Sequence, residues 1–165
     1  MKNLMLFSSI LSILFLTCCD KNSSGMEPCN NCHTNIFQCK INGVDWKPDC
    51  IPDPLFGCNS IETQYYLHTN WLGINCINDF NKISFALYSE NIKYLDSISL
   101  IDVTMANLSK NKDCIIYKID SSQFSYLKII EINETKRIIE GSFACSLINK
   151  CETLRISDGY FKLKF

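Results

Sequence analysis

The chain has 165 residues, 47% apolar, 12% aromatic and 20% charged, with 6 Gly and 4 Pro, which excludes collagen, coiled coil and global disorder and leaves room for one domain, two at most. Sixteen basic residues face seventeen acidic ones, so no cationic excess draws nucleic acid and no acidic block marks a solvating tail. Eleven cysteines are the outlier, too many for an ordinary cytosolic protein of this size.

Lys2 is the only charge before Asp20, and between them runs an apolar stretch ending in Ile13-Leu14-Phe15-Leu16. A short positive region followed by an apolar run of this length reads as a secretory signal, because a spanning helix needs about 20 apolar residues. Leu16-Thr17-Cys18-Cys19 then gives way to polar Asp20-Lys21-Asn22-Ser23-Ser24-Gly25. This resembles the lipobox of bacterial lipoproteins, in which Leu stands three places before the acylated Cys. Cys19 has Leu16 at that place and small Cys18 before it; Cys18, the alternative, has Phe15 there and the larger Thr17 before it. The expectation is a signal peptide over 1–18, a lipidated N-terminus and flexible Cys-containing tether over 19–35, and one domain over 36–165. Acyl chains on one Cys hold a membrane by about 0.8 kcal/mol per buried methylene. The expected address is the cell envelope, at the outer membrane, with the periplasmic or surface face left open.

Cys29-Asn30-Asn31-Cys32-His33 matches the C-x-x-C-H haem attachment pattern, in which two thioethers hold the porphyrin and the His is an axial ligand. Export is the right compartment for it. Against haem stand the adjoining tether, a β-run from Ile36 that leaves no helix to wrap a porphyrin, and the surrounding cysteines. A disulfide is the preferred reading, covalent haem the alternative cofactor. Zinc would need two further ligands, with only His33 and Cys39 nearby, and no metal site is expected.

From Ile36 the pattern is β. Runs at 36–41 and 44–46 meet across Asn42-Gly43, the strongest short-range hairpin signal because both turn residues need positive φ. Pro48, Pro52, Pro54 and Gly57 mark an irregular loop. Further runs lie at 61–68, 71–77, 83–88, 97–105, 114–120, 124–132, 138–147 and 154–165, separated by Asn-, Asp- and Gly-containing turns. Alternation is plain in Ile83/Phe85/Leu87 and Ile139/Gly141/Phe143/Cys145/Leu147. Only 90–96 has room for a helical turn. About ten such strands without helices between them predict an all-β fold, an antiparallel β-sandwich, with a closed or partly open β-barrel as the alternative.

Nine cysteines follow the lipid pair, an odd number in a chain expected to meet an oxidising compartment. Cys50 and Cys58 bracket the Pro-rich loop and are placed to staple it. Cys145 and Cys151 lie symmetrically about Ile148, at an expected hairpin tip, where a cross-strand bridge is geometrically possible. Cys39, Cys76 and Cys114 each read either as a bridge partner or as a small buried hydrophobe on a strand.

No catalytic constellation stands out. His33 and His68 are the only histidines, and G-x-S-x-G, H-E-x-x-H and phosphate-loop motifs are missing. No catalytic residue and no enzyme activity is therefore expected. Trp46, Trp71, Tyr65 and Tyr66 fall in one region and are the residue types of a sugar-binding platform, although aromatic strands more often build core.

Phe37-x-Cys39-x-Ile41-Asn42-Gly43-x-x-Trp46-x-Pro48 is similar to the opening of a family of small lipoproteins of Bacteroidota. Gly141-x-Phe143 and Ile156-Ser157-Asp158-Gly159-x-Phe161 are similar to its end, except that Tyr160 stands where members often carry Arg. The likeness spans about 36–165. It implies a hairpin turn at Asn42-Gly43 and a core anchor at Trp46, and it brings no catalytic residue, because such proteins have no assigned function. The expected activity is binding or scaffolding of a protein or glycan by a membrane-anchored β-domain; an exported redox or haem protein using Cys29, Cys32 and His33 is the alternative.

Overall fold

The computed structural model describes residues 34–55, 57–90, 92 and 101–165. The lipobox cysteines Cys18 and Cys19, the Cys29–His33 motif and most of 90–96 lie outside them.

Among the described residues ten strands follow one another: β1 (Ile36–Ile41), β2 (Val44–Trp46), β3 (Ile61–Tyr66), β4 (Trp71–Asn78), β5 (Ile83–Ser89), β6 (Asp102–Asn107), β7 (Ile116–Ile119), β8 (Tyr126–Asn133), β9 (Ile138–Ile148) and β10 (Thr153–Lys164). They pair antiparallel in one sheet of order β2-β1-β10-β9-β7-β6-β5-β4-β3, with β8 also on β9. The fold is all-β, as expected. A short 3-10 turn at Lys112–Cys114 interrupts the strands.

Alternation builds the core. Every second residue of β9 is buried from Ile139 to Leu147, and β10 does the same with one change of parity at its bulge, burying Leu154 and Ile156 and then Gly159, Phe161 and Leu163. One bulge in β10, between Ile156 and Tyr160, shifts its register against both β1 and β9, and one in β8, between Ile129 and Glu131, shifts it against β9; they bend β10 and β8. The sheet thereby curls until its walls meet: Phe37 of β1 lies 5.5 Å from Phe85 of β5, and Tyr65 of β3 lies 5.1 Å from Phe165. One continuous sheet thus supplies both layers of a sandwich and forms a partly open barrel. The segment after β2 helps to close it. Asp49 N–H donates to Ile77 O (3.0 Å), and Asp79 N–H donates to Asp49 O (3.1 Å).

Turn chemistry follows the residues. Asn42 and Gly43 have φ of 50° and 83°, so the β1–β2 hairpin has the turn its sequence demands. At the β10 bulge a Cβ on Gly159 would stand 2.5 Å from Phe143 O, so only glycine lets β9 and β10 close there.

Among the described residues two disulfides staple the loops. Cys50 bridges Cys58, as the loop pattern predicted. Cys151 bridges Cys114, not Cys145. Cys145 faces the core of β9 opposite Ile156, whereas Cys151 sits in the exposed turn after β9, so the symmetry about Ile148 does not bring them together. Asn149 sets that turn: its Nδ2 donates to Cys114 O (2.7 Å), and its Oδ1 accepts from Cys151 and Glu152 N–H.

Candidate binding surface

The sequence placed Trp46, Trp71, Tyr65 and Tyr66 in one neighbourhood, and the fold separates them. Trp46 on β2 points inward, 5% exposed, against Phe37 and Phe85. Tyr65 turns inward on β3. Tyr66 and Trp71 point outward, directly opposite one another across the β3–β4 ladder.

Strand parity brings a third aromatic to them. Phe85 and Leu87 of β5 are buried, so Tyr88 faces out, and it pairs with Gly73 of β4. Trp71 and Gly73 are two residues apart on the same face. The far edge of the indole reaches over Gly73, where a Cβ would stand 2.4 Å from Cη2. A side chain that covers the next position on its own strand lies along the sheet rather than standing up from it. Glycine is the residue that leaves it room. Trp71 then sits between Tyr66, with centroids 5.4 Å apart, and Tyr88, at 5.9 Å and 28°. Each such aromatic contact contributes about 0.5–1.5 kcal/mol beyond area burial.

Polar groups frame the rings. Tyr88 Oη donates to Asn75 Oδ1 (2.9 Å) and Tyr66 Oη to Gln64 Oε1 (3.4 Å), while Gln64 Nε2 donates to Glu62 Oε1 (3.1 Å). In register, Gln64–Gly73–Tyr88–Asp102 forms one row across the sheet and Glu62–Asn75–Ala86–Thr104 the next. Gln64, Asn75 and Tyr88 were not foreseen. The signal for Tyr88 was present in the Ile83/Phe85/Leu87 alternation, but its pairing with Gly73 was not.

Other features serve the fold. A cleft of about 480 Å³ at the β1–β10 bulge is lined by Lys40, Asp45, Trp46, Lys47 and Asp158 among others. Lys40 and Asp158 pair across it at 2.8 Å, and that contact raises the Lys40 pKa. Tyr117 Oη donates to Glu152 Oε1 at 2.5 Å, and Lys110 pairs with Glu152 at 2.8 Å, which pins the β9–β10 turn beside the Cys114–Cys151 bridge. Cys39, Cys76 and Cys145 are buried free thiols. Desolvation pushes Cys39 and Cys145 up to about 12 and raises Cys76 as well, so none is a ready nucleophile. Cys50 and Cys58 hold the Pro-rich loop, and His68 is exposed in the turn after β3. No group of three or more metal-ligating side chains comes together among the described residues.

No protein-family model, no curated protein and no solved structure matches this chain.

Proposed function

We propose that this protein is a lipid-anchored β-domain of the cell envelope that binds or scaffolds without catalysing, and that its binding surface is the outer face of β3–β5. One observation carries the binding surface: Trp71 is laid over Gly73 and held between Tyr66 and Tyr88 on an outward sheet face. Three aromatics kept together at the surface, with polar groups around them, are what a ligand platform needs. The envelope address rests on the Leu16-Thr17-Cys18-Cys19 lipobox and on the likeness to small Bacteroidota lipoproteins.

The test is oxidative footprinting of Trp71 in intact envelopes and on purified protein. Protection of Trp71 in envelopes, relieved on purification, is expected. Equal oxidation in both would overturn the binding surface. The anchor is tested separately: replacing Cys18 and Cys19 together by Ala is expected to release the protein from carbonate-washed membranes, whereas Cys18→Ala alone is not.

A further inference from the structure

We infer that the ligand of the β3–β5 outer face is an uncharged oligosaccharide, a chain of pyranose rings with equatorial hydroxyls, seated on Trp71. The inference rests on the binding surface proposed above and names what it takes.

The surface offers both halves of sugar chemistry. A pyranose ring with equatorial hydroxyls has apolar faces of axial C–H bonds and a polar edge. Trp71 supplies the complementary π-face, with Tyr66 and Tyr88 beside it. Each tyrosine hydroxyl is turned toward a side-chain amide, so both keep lone pairs for a sugar O–H. Asn75 spends only its Oδ1 on Tyr88, which leaves its Nδ2 donors free among the described residues. The rim therefore holds amide donors and hydroxyl and carboxylate acceptors one strand spacing apart. Vicinal diols, each a donor and an acceptor, fit such a rim.

Charge selects against the competitors. Glu62 and Asp102 stand in the rows that frame the rings, and among the described residues the nearest cation along them is Lys118, opposite Thr104 on β7. An anionic chain, such as a uronate or a phosphate-bearing glycan, would meet two carboxylates and one lysine. Protein partners favour a desolvated apolar centre. Here the polar pair Glu62 and Asn75 interrupts the apolar surface between Trp71 and Ile77.

The chain has two tryptophans, and Trp46 is buried, so iodide-quenchable fluorescence belongs to Trp71. The experiment titrates the full chain with cellohexaose, maltohexaose, chitohexaose and, as the anionic probe, hexagalacturonate. At least one neutral hexasaccharide is expected to shield Trp71 from iodide saturably, and hexagalacturonate is not. Trp71→Ala should weaken calorimetric affinity at least about tenfold and Asn75→Ala about three- to tenfold. Trp71→Phe should retain part of it, and Phe80→Ala, in the turn that follows the far end of β4, should leave it unchanged. Circular dichroism establishes that each variant is folded. Failure of all three neutral probes at about 10 mM, or equal binding of hexagalacturonate, would overturn the saccharide assignment. If Trp71 is nevertheless protected in envelopes, the binding surface stands and only the sugar falls; if it is not, both fall.

Discussion

The two tryptophans occupy hairpins at opposite edges of the sheet, and the fold uses them in opposite ways. Trp46 ends β2, faces inward and packs edge-on to Phe37; its indole N–H has no hydrogen-bond partner among the described residues. Trp71 opens β4, faces outward and lies over a glycine. Residue type is the same and local propensity is the same. Strand parity alone makes one a structural wedge and the other a surface platform.

The largest expected effect tests that division. Trp46→Ala should cost about 3–5 kcal/mol through lost burial and the cavity left behind, read by chemical denaturation. Trp71→Ala should cost less, about 1–3 kcal/mol, because it loses two ring contacts and no core volume. Trp46→Phe should be much milder than Trp46→Ala, since it keeps most of the ring contact and removes an unpaired donor. Equal losses for the two Ala variants would erase the comparison.

Next come the bridges. In the chain-entropy view, removing the Cys114–Cys151 link, which closes a 37-residue separation, should cost about 4 kcal/mol, and the 8-residue Cys50–Cys58 link about 2.5 kcal/mol. Replacing each pair by Ser and measuring thermal midpoints checks the order. The β signature in circular dichroism should survive both, because the core between the walls contains neither bridge; its loss would make the staples, not the core, the basis of the fold. The three buried thiols should resist iodoacetamide in the native protein and react only on unfolding, as peptide mass mapping would read.

Two glycines sharpen the contrast further. At Gly141, which faces inward, a Cβ would meet Phe161 Cζ at 2.5 Å and the Lys128 carbonyl at 2.8 Å. Gly141→Ala should cost about 1–3 kcal/mol through overpacking against backbone. At Gly73 the obstacle is only the far end of the Trp71 side chain, which can swing aside. Gly73→Ala should leave stability nearly unchanged yet raise iodide quenching of Trp71. An unmoved quenching constant would mean that Gly73 does not set the indole's pose.

The smallest effect lies on the outer face of β9 and β10. Lys162 pairs with Glu140 at 2.7 Å, and Tyr160 Oη donates to it at 3.0 Å. The Lys162 contact leads in holding the Glu140 carboxyl below the usual carboxylate range. A folded pKa below the unfolded one adds stability that is full above ordinary carboxylate titration and fades as pH falls through the depressed value. Glu140→Gln should therefore destabilise slightly at pH 7 and flatten the acid limb of the stability profile. An unchanged acid limb would show that the pair is fully screened.

Much of the fold was legible because β structure repeats every two residues. Ile139, Phe143, Cys145 and Leu147 were assigned to one face by alternation and are buried together. The Asn42-Gly43 turn was legible because few residues tolerate its φ values. Strand ends moved by a residue or two, as at β8, which spans Tyr126–Asn133 rather than 124–132.

The candidate surface was half legible. Tyr66 and Trp71 were visible as aromatics, yet they were grouped with Trp46 and Tyr65, which parity sends to the other side. The sequence by itself determined which elements form and which side of each strand is apolar, since backbone dihedrals and side-chain alternation act over a few residues. Tertiary structure alone decided the Cys114 partner of Cys151 and the alignment of Gly73 with Tyr88. Both depend on register between strands and turns separated along the chain, and register is set by how the curled sheet closes on its core.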